Sequence, residues 1–273
     1  MLNPPVNRAS SDLVDAIDTF KAYLDQSGIG DGMLAGARIL EIGPGANQSV
    51  ALQFIAAGAE QVISVDKFVP QSFTAYHAGL YRDLRERLPF DWRGRFDDAV
   101  DLDRAVFNQR RILYVYSGVE CVDRVVEAES ADLILSNSVL EEIYDVDAVI
   151  DTLDGLLRPG GLMIHKIDFR DYGMFSAFSY SPFEFLTIPE WIYKSFAAAT
   201  GQPNRRLIGF YRDKFQALGY ETRFTELFHY PADEAAVDEI RSRLCTPFRQ
   251  MPAEDLLVSG AWIVARKPGG SGI

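Results

Sequence analysis

Residues Ile39–Gln48 read Ile-Leu-Glu-Ile-Gly-Pro-Gly-Ala-Asn-Gln. A short apolar run carries one acid, Glu41, and ends at two glycines, Gly43 and Gly45, that flank Pro44. Glycines directly after a strand let the backbone turn sharply and let a ligand approach the main chain closely. The N-terminus of a following helix then offers unpaired N–H groups. A dinucleotide turn of the form G-x-G-x-x-G/A needs a small sixth residue for close helix packing. The sixth residue here is Gln48, which is bulky, so the pattern argues against NAD or FAD.

The flanking sequence makes this turn part of a β-α-β unit. Arg38–Ile42 is predicted as a strand. Ser49–Ala57 carries Val50, Phe54 and Ile55 at helical spacing and stops at Gly58. Gln61–Val65 reads as a buried strand ending at Asp66, and such a unit is a right-handed parallel crossover. Further strands are expected at Arg111–Tyr116, Ala131–Ser136, Leu162–Phe169, Glu221–His229 and Leu257–Ala265. Between them, Asp145 can cap a helix bearing Val149, Ile150, Leu153, Leu156 and Leu157, ended by Arg158–Gly161. Arg206–Leu218 is a second helix, ended by Gly219. Upstream, Ser10 and Ser11 can cap a helix with Leu13, Ile17, Phe20 and Leu24 on one stripe and Gly28 as its stop. Strands alternating with helices predict an α/β fold: an open, seven-stranded, mostly parallel sheet with helices on both faces.

One domain over residues 1–267 is expected, with insertions at about 67–110, 170–205 and 230–256, and residues 268–273 as a flexible tail. Connections beyond the carboxyl ends of strands surround the ligand crevice of such sheets, so the first two insertions are lid candidates. The second contains Phe175, Phe178, Tyr180, Phe183, Phe185, Trp191, Tyr193 and Phe196, which equally suits a small satellite core. The formal net charge of -12 disfavours a nucleic-acid partner. No window approaches 18 uncharged apolar residues, and the first twelve residues lack an apolar leader, so neither a membrane nor export is expected and the location is read as cytoplasmic. Cys121 and Cys245 form no metal-ligand spacing and read as two buried thiols in a reducing cytosol rather than a disulfide.

Four stretches in order resemble class I S-adenosylmethionine-dependent methyltransferases, whose fold is Rossmann-like. Ile39–Gln48 looks like the first motif, apolar-apolar-acid-apolar-Gly-x-Gly. Val65-Asp66 matches the acid that ends the second strand. Ala131–Ile143 resembles the fourth-strand segment, whose usual ending is Leu-Glu-His; here Glu142 replaces the histidine. Leu157–Gly161 matches the turn before the fifth strand. His165-Lys-Ile-Asp168-Phe-Arg-Asp171 resembles the His-x-Ile-Asp-x-Arg-Asp signature of a bacterial subgroup, and Pro203–Leu207 resembles a later segment of it.

The resemblance implies a transferase with S-adenosylmethionine as cofactor. Asp66 would accept both ribose hydroxyls, and Glu41 would lie near the sulfonium and amino group, unless it only orders the glycine turn. Gly43, Pro44, Gly45 and Asn47 of the turn, Lys67, Gly118 and Val119 after the third strand, and Ser136, Asn137 and Ser138 after the fourth complete the expected cofactor set. Some members of the subgroup sit among genes for surface glycans or natural products, which implies a small-molecule or glycan hydroxyl as acceptor. A hydroxyl needs a base, and His165, Asp168 and Glu142 are the candidates. His165 could instead be a core histidine and Glu142 a solvated or capping acid; Asp171 is as suited to pairing with Arg170, Arg205 or Arg206 as to touching substrate. His77 could reach the site, and His229 shows no partner. No metal set is legible. The competing reading is a non-catalytic module that uses the aromatic insertions as a partner surface.

Overall fold

The computed structural model describes residues 8–69, 73–173, 180–200, 203–230 and 233–269. In chain order the strands are β1 Arg38–Ile42, β2 Gln61–Asp66, β3 Val100–Asp101, β4 Val106–Phe107, β5 Ile112–Tyr116, β6 Ala131–Asn137, β7 Leu157–Asp168, β8 Glu221–His229 and β9 Val258–Arg266. The helices are α1 Arg8–Ser27, α2 Asp31–Leu34, α3 Ser49–Ala57, α4 Ala75–Arg87, α5 Arg93–Ala99, α6 Val146–Leu156, α7 Glu190–Thr200, α8 Ile208–Ala217, α9 Glu234–Ile240 and α10 Ala253–Leu257.

Seven strands form one sheet in the order β5-β2-β1-β6-β7-β9-β8, and β3 with β4 makes a separate hairpin. β1 pairs in parallel with β2 and with β6, β2 pairs in parallel with β5, and β8 runs antiparallel to β9. This is the expected mostly parallel Rossmann-like sheet. The chain goes from β1 outward to β2 and β5, then returns to the other side of β1 as β6. That reversal makes the carboxyl ends of β1 and β6 a topological switch point, the place where open α/β sheets bind ligands.

Two compact units divide the chain: residues 1–136 with 152–164, and residues 137–151 with 165–273. In the first, α3 is buried along almost its whole length. Phe54 meets Phe20 of α1 edge-on at 4.9 Å between ring centroids, and Tyr23 lies beside them. Gln53 Nε2 donates to Ala16 O of α1 at 3.0 Å. The amino ends of three strands share one acid: Asp132 accepts Arg38 N–H at 2.8 Å and the Arg158 guanidinium at 2.5 Å. In the second unit, Lys214 of α8 bridges Asp147 and Asp151 of α6 at 2.8 and 2.6 Å.

The local differences from expectation have physical causes. α1 starts at Arg8, so Ser10 and Ser11 lie inside it; its stop is as read, with Gly28 at φ +68° and its N–H on Leu24 O. The segment Arg158–Gly161 lies within β7, which begins at Leu157, with Gly160 at φ +77°. His229 does have a partner, Glu226 Oε2 at 2.6 Å, because the β-bulge near Phe228 breaks the strand's alternation. Within 170–205, Phe183, Phe185 and Tyr193 are buried, while Tyr180 and Trp191 are exposed; Phe175, Phe178 and the side chain of Phe196 lie outside the described residues. Both cysteines are free thiols, as read, but half-buried rather than buried. Among the described residues no helix is long and apolar enough to cross a membrane, and no His, Cys, Asp and Glu group has metal-site geometry.

Phe54→Ala removes the ring that joins α3 to α1. The expected cost is about 3–5 kcal/mol of unfolding free energy, read from urea denaturation; a loss below about 1 kcal/mol would mean that this cluster does not anchor α1.

Candidate active site

In the first unit the turn after β1 is set by backbone geometry. Gly43 and Gly45 have φ of +67° and +74°, which only glycine adopts without strain. Gly43 N–H donates to Val65 O at 2.9 Å, so the turn is bonded to the end of β2, directly before Asp66. A Cβ added at Gly45 would meet nothing within 4 Å; the backbone there faces open space. Asn47 Oδ1 accepts Ser49 N–H at 2.9 Å and starts α3.

Beneath the turn lies a chain of buried polar groups. Ser64 Oγ is 3.2 Å from Glu41 Oε2 and 2.8 Å from Gln48 Oε1. Gln48 N–H donates to Tyr81 Oη of α4 at 3.0 Å. Ser64 has one proton to give. A protonated Glu41 can donate to Ser64 while Ser64 donates to Gln48, and every member is then satisfied. Burial raises the Glu41 carboxyl to about 7, against the opposing pull of the Ser64 hydrogen bond. Gln48 is thus tied into the core by its own amide. Its signal in the sequence was a bulky residue at a position usually small, paired with Ser64 in an otherwise apolar strand. His77 closes the arrangement from α4: Nδ1 accepts Thr74 N–H at 3.2 Å, and Nε2 lies 3.2 Å from Ala46 O. These partners fix the proton on Nε2 and latch α4 to the turn.

Asp66 ends β2 with Oδ1 accepting Phe68 N–H at 3.0 Å. Lys67 stands over the Phe68 ring. Gly118 precedes a 3-10 turn from Val119 to Arg124; Val119 is buried, and the Glu120 carboxylate lies where a Gly118 side chain would go. Ser136 is fully buried near the end of β6. Beside the glycine turn, Phe73, His77, Tyr81 and Phe107 line a cavity of about 300 Å³.

In the second unit the acids gather at the ends of β6 and β7. Ser138 follows Asn137 at φ +56°, with its N–H on Lys166 O and its Oγ on Asn137 Oδ1. The 3-10 turn Leu140–Glu142 buries Glu141 and exposes Glu142. Glu141 Oε1 accepts Asp168 N–H at 3.1 Å, and Oε2 has no hydrogen-bond partner among the described residues. Burial, with the Asp168 and Glu142 charges adding, raises Glu141 to about 8. Asp168 is held by Arg170 through two guanidinium nitrogens at 2.5–3.1 Å. Tyr172, at φ +54°, donates to Glu142 Oε1 at 3.4 Å, and burial beside these acids pushes its phenol far up. His165 is fully buried, and burial lowers its imidazole to about 3, so it is neutral. Asp171 is buried and accepts Gly173 N–H.

The Asn204 segment holds this region in shape. Asn204 Nδ2 donates to Leu140 O and Ile143 O at 2.8 and 2.6 Å, and Asn204 N–H donates to Glu141 O. Arg205, at φ +62°, donates to Phe185 O, Ile188 O and Glu190, with its guanidinium 3.9 Å from the Tyr193 ring centre. Ser138, Tyr172 and Arg205 are three non-glycine residues in left-handed backbone within one unit. Such strain persists only where surrounding contacts over-determine it, and it clusters at functional sites.

Glu41 makes stability depend on pH with a definite sign. In the unfolded chain its carboxyl loses the proton near pH 4.5; in the fold it keeps the proton to about pH 7. The unfolded state therefore binds fewer protons across this window, and stability falls as pH rises through it, then levels off. Glu41→Gln should gain stability over the parent between pH 5 and pH 8, by up to about 3 kcal/mol. Chemical denaturation at the two pH values measures this, and a difference that does not change with pH would contradict it.

Among curated proteins, none matches this chain. Solved structures are similar in fold. A candidate sarcosine dimethylglycine methyltransferase from Galdieria sulphuraria has 16% identity and a TM-score of 0.51, covering 92% of this chain and 86% of its own. A candidate S-adenosylmethionine dependent methyltransferase from Listeria monocytogenes has 14% identity and a TM-score of 0.50, covering 92% and 97%. An S-adenosylmethionine dependent methyltransferase from Mesorhizobium loti has 16% identity and a TM-score of 0.48, covering 89% and 95%. A family model described as a methyltransferase domain matches residues 8–231, from α1 past the end of β8, and the chain therefore belongs to that methyltransferase family.

Proposed function

We propose that this protein transfers a methyl group from S-adenosylmethionine to a hydroxyl of a small molecule or glycan. The observation that carries the cofactor reading is the coupling of the glycine turn to the end of β2. Gly43 N–H bonds to Val65 O, so the turn's open backbone stays beside the Asp66 carboxylate. The residues fit this cofactor. Asp66 has acceptor capacity beyond the single Phe68 N–H, as a ribose diol requires. Glu41 supplies a buried carboxyl for a cationic ligand. Gln48, bonded through its side-chain oxygen to Ser64, fills the place where a pyrophosphate turn needs a small residue. Gly43, Pro44, Gly45, Asn47, Lys67, Gly118, Val119, Ser136, Asn137 and Ser138 complete the proposed contacts.

The cofactor, when bound, supplies an electrophilic methyl group on sulfur. The chain's own work is to orient the ligands, exclude water and accept a proton. Proton acceptance is assigned to Asp168, the half-buried acid at the end of β7, with Glu142 as its exposed counterpart. Glu141 positions Asp168 through its N–H, and His165 serves as a neutral core imidazole three residues before Asp168. One observation favours the non-catalytic reading: Trp191 is 74% exposed and Tyr180 59% exposed, which suits a partner surface.

Calorimetric titration with S-adenosylhomocysteine separates the two. Saturable binding is expected, weakened at least tenfold in Asp66→Ala; absence of binding in the parent would sink the proposal. Once an acceptor is found, Asp168→Asn should lower kcat by about 10²-fold or more with cofactor affinity unchanged. Parental kcat in that variant would remove Asp168 from the mechanism.

A further inference from the structure

The second unit contains a cavity of about 190 Å³ at the start of α8, lined by residues that include Arg205, Arg206, Leu207, Phe210, Phe248 and Glu190. We propose that this cavity binds a small oxyanion, a phosphate or carboxylate group, held by Arg206 and the first turn of α8.

Three observations converge. Arg206 is exposed, its guanidinium lies 5.0 Å from the Phe210 ring centre, and it joins no ion pair among the described residues. Stacking on an aromatic face pre-orders the planar fork, which suits two-point contact with an oxyanion. Leu207 and Phe210 bring the positive end of the ten-residue helix α8 to the cavity, and Leu207 provides no side-chain cap for the first N–H groups. Arg205, on the wall, is 3% exposed, and its Nε–H meets no acceptor among the described residues.

The charges leave the site positive. Glu190 is the acid on the wall, and it is paired with Arg205. Asp255, which approaches Gly209 in the first turn of α8, is paired with Arg212 at 2.9 Å. Asp255 lies beside the first turn of α8, and Arg206 remains without an ion-pair partner among the described residues. Apart from Asn204 and Thr246 the remaining wall is apolar and aromatic, so a small anion carried on an organic body fits better than a hydrated metal.

The test is calorimetric titration of the intact protein with inorganic phosphate and, separately, with acetate, at constant ionic strength. The parent is compared with Arg206→Gln and with Arg124→Gln, a change at an exposed arginine of the other unit. Saturable binding of either anion to the parent and to Arg124→Gln is expected, with affinity at least tenfold weaker in Arg206→Gln. Preference for phosphate or for acetate identifies which oxyanion the site takes. No saturable binding of either anion, or equal binding by Arg206→Gln and the parent, would overturn the proposal. Because the readout is anion binding in the absence of any methyl donor, its outcome is independent of the methyl-transfer reading.

Discussion

The buried chain Glu41–Ser64–Gln48–Tyr81 is the constraint on which the first unit depends. β1, β2, α3 and α4 each contribute to it or adjoin it, and all four of its side chains are buried. A buried carboxyl is tolerated only when hydrogen-bonded or neutral, and here the raised carboxyl and the single serine proton make both conditions work together. Removing any one member would strand the others, so the glycine turn is held from below as well as by its own backbone geometry.

The second unit solves a different problem. Its acids lie close together at the ends of β6 and β7, and their charges are divided among distinct devices. Asp168 is clamped by Arg170, Glu141 is buried with its carboxyl raised, and Glu142 is exposed under the Tyr172 hydroxyl. Raising one carboxyl by burial within a cluster of acids is how protein sites keep a proton donor among neighbouring carboxyl groups near neutral pH.

Much of the sheet was legible in the sequence. β2 and β5 are short, largely apolar runs, and β8 runs between its predicted limits after the helix-ending Gly219. The Gly-Pro-Gly turn and Asp66 stood out because strand ends concentrate such residues. The β3–β4 hairpin did not stand out, since two-residue strands leave no periodic signal. Glu142 reads as the acid of the pair facing the crevice, but that Glu141 is the buried one leaves no pattern: the segment forms a 3-10 turn, whose three-residue repeat differs from both the strand and the helix periods. The roles of His77 and Gln48 depend on partners 31 and 16 residues away in the chain, and no local pattern records such pairs.

Asn204 concentrates a vulnerability in one amide. Its Nδ2 is the shared donor for the carbonyls of Leu140 and Ile143, and its Oδ1 accepts Arg206 N–H. Hydrolysis of that amide would exchange a two-pronged donor for a carboxylate facing two carbonyl oxygens, so slow chemical ageing at a single side chain would loosen the turn that buries Glu141.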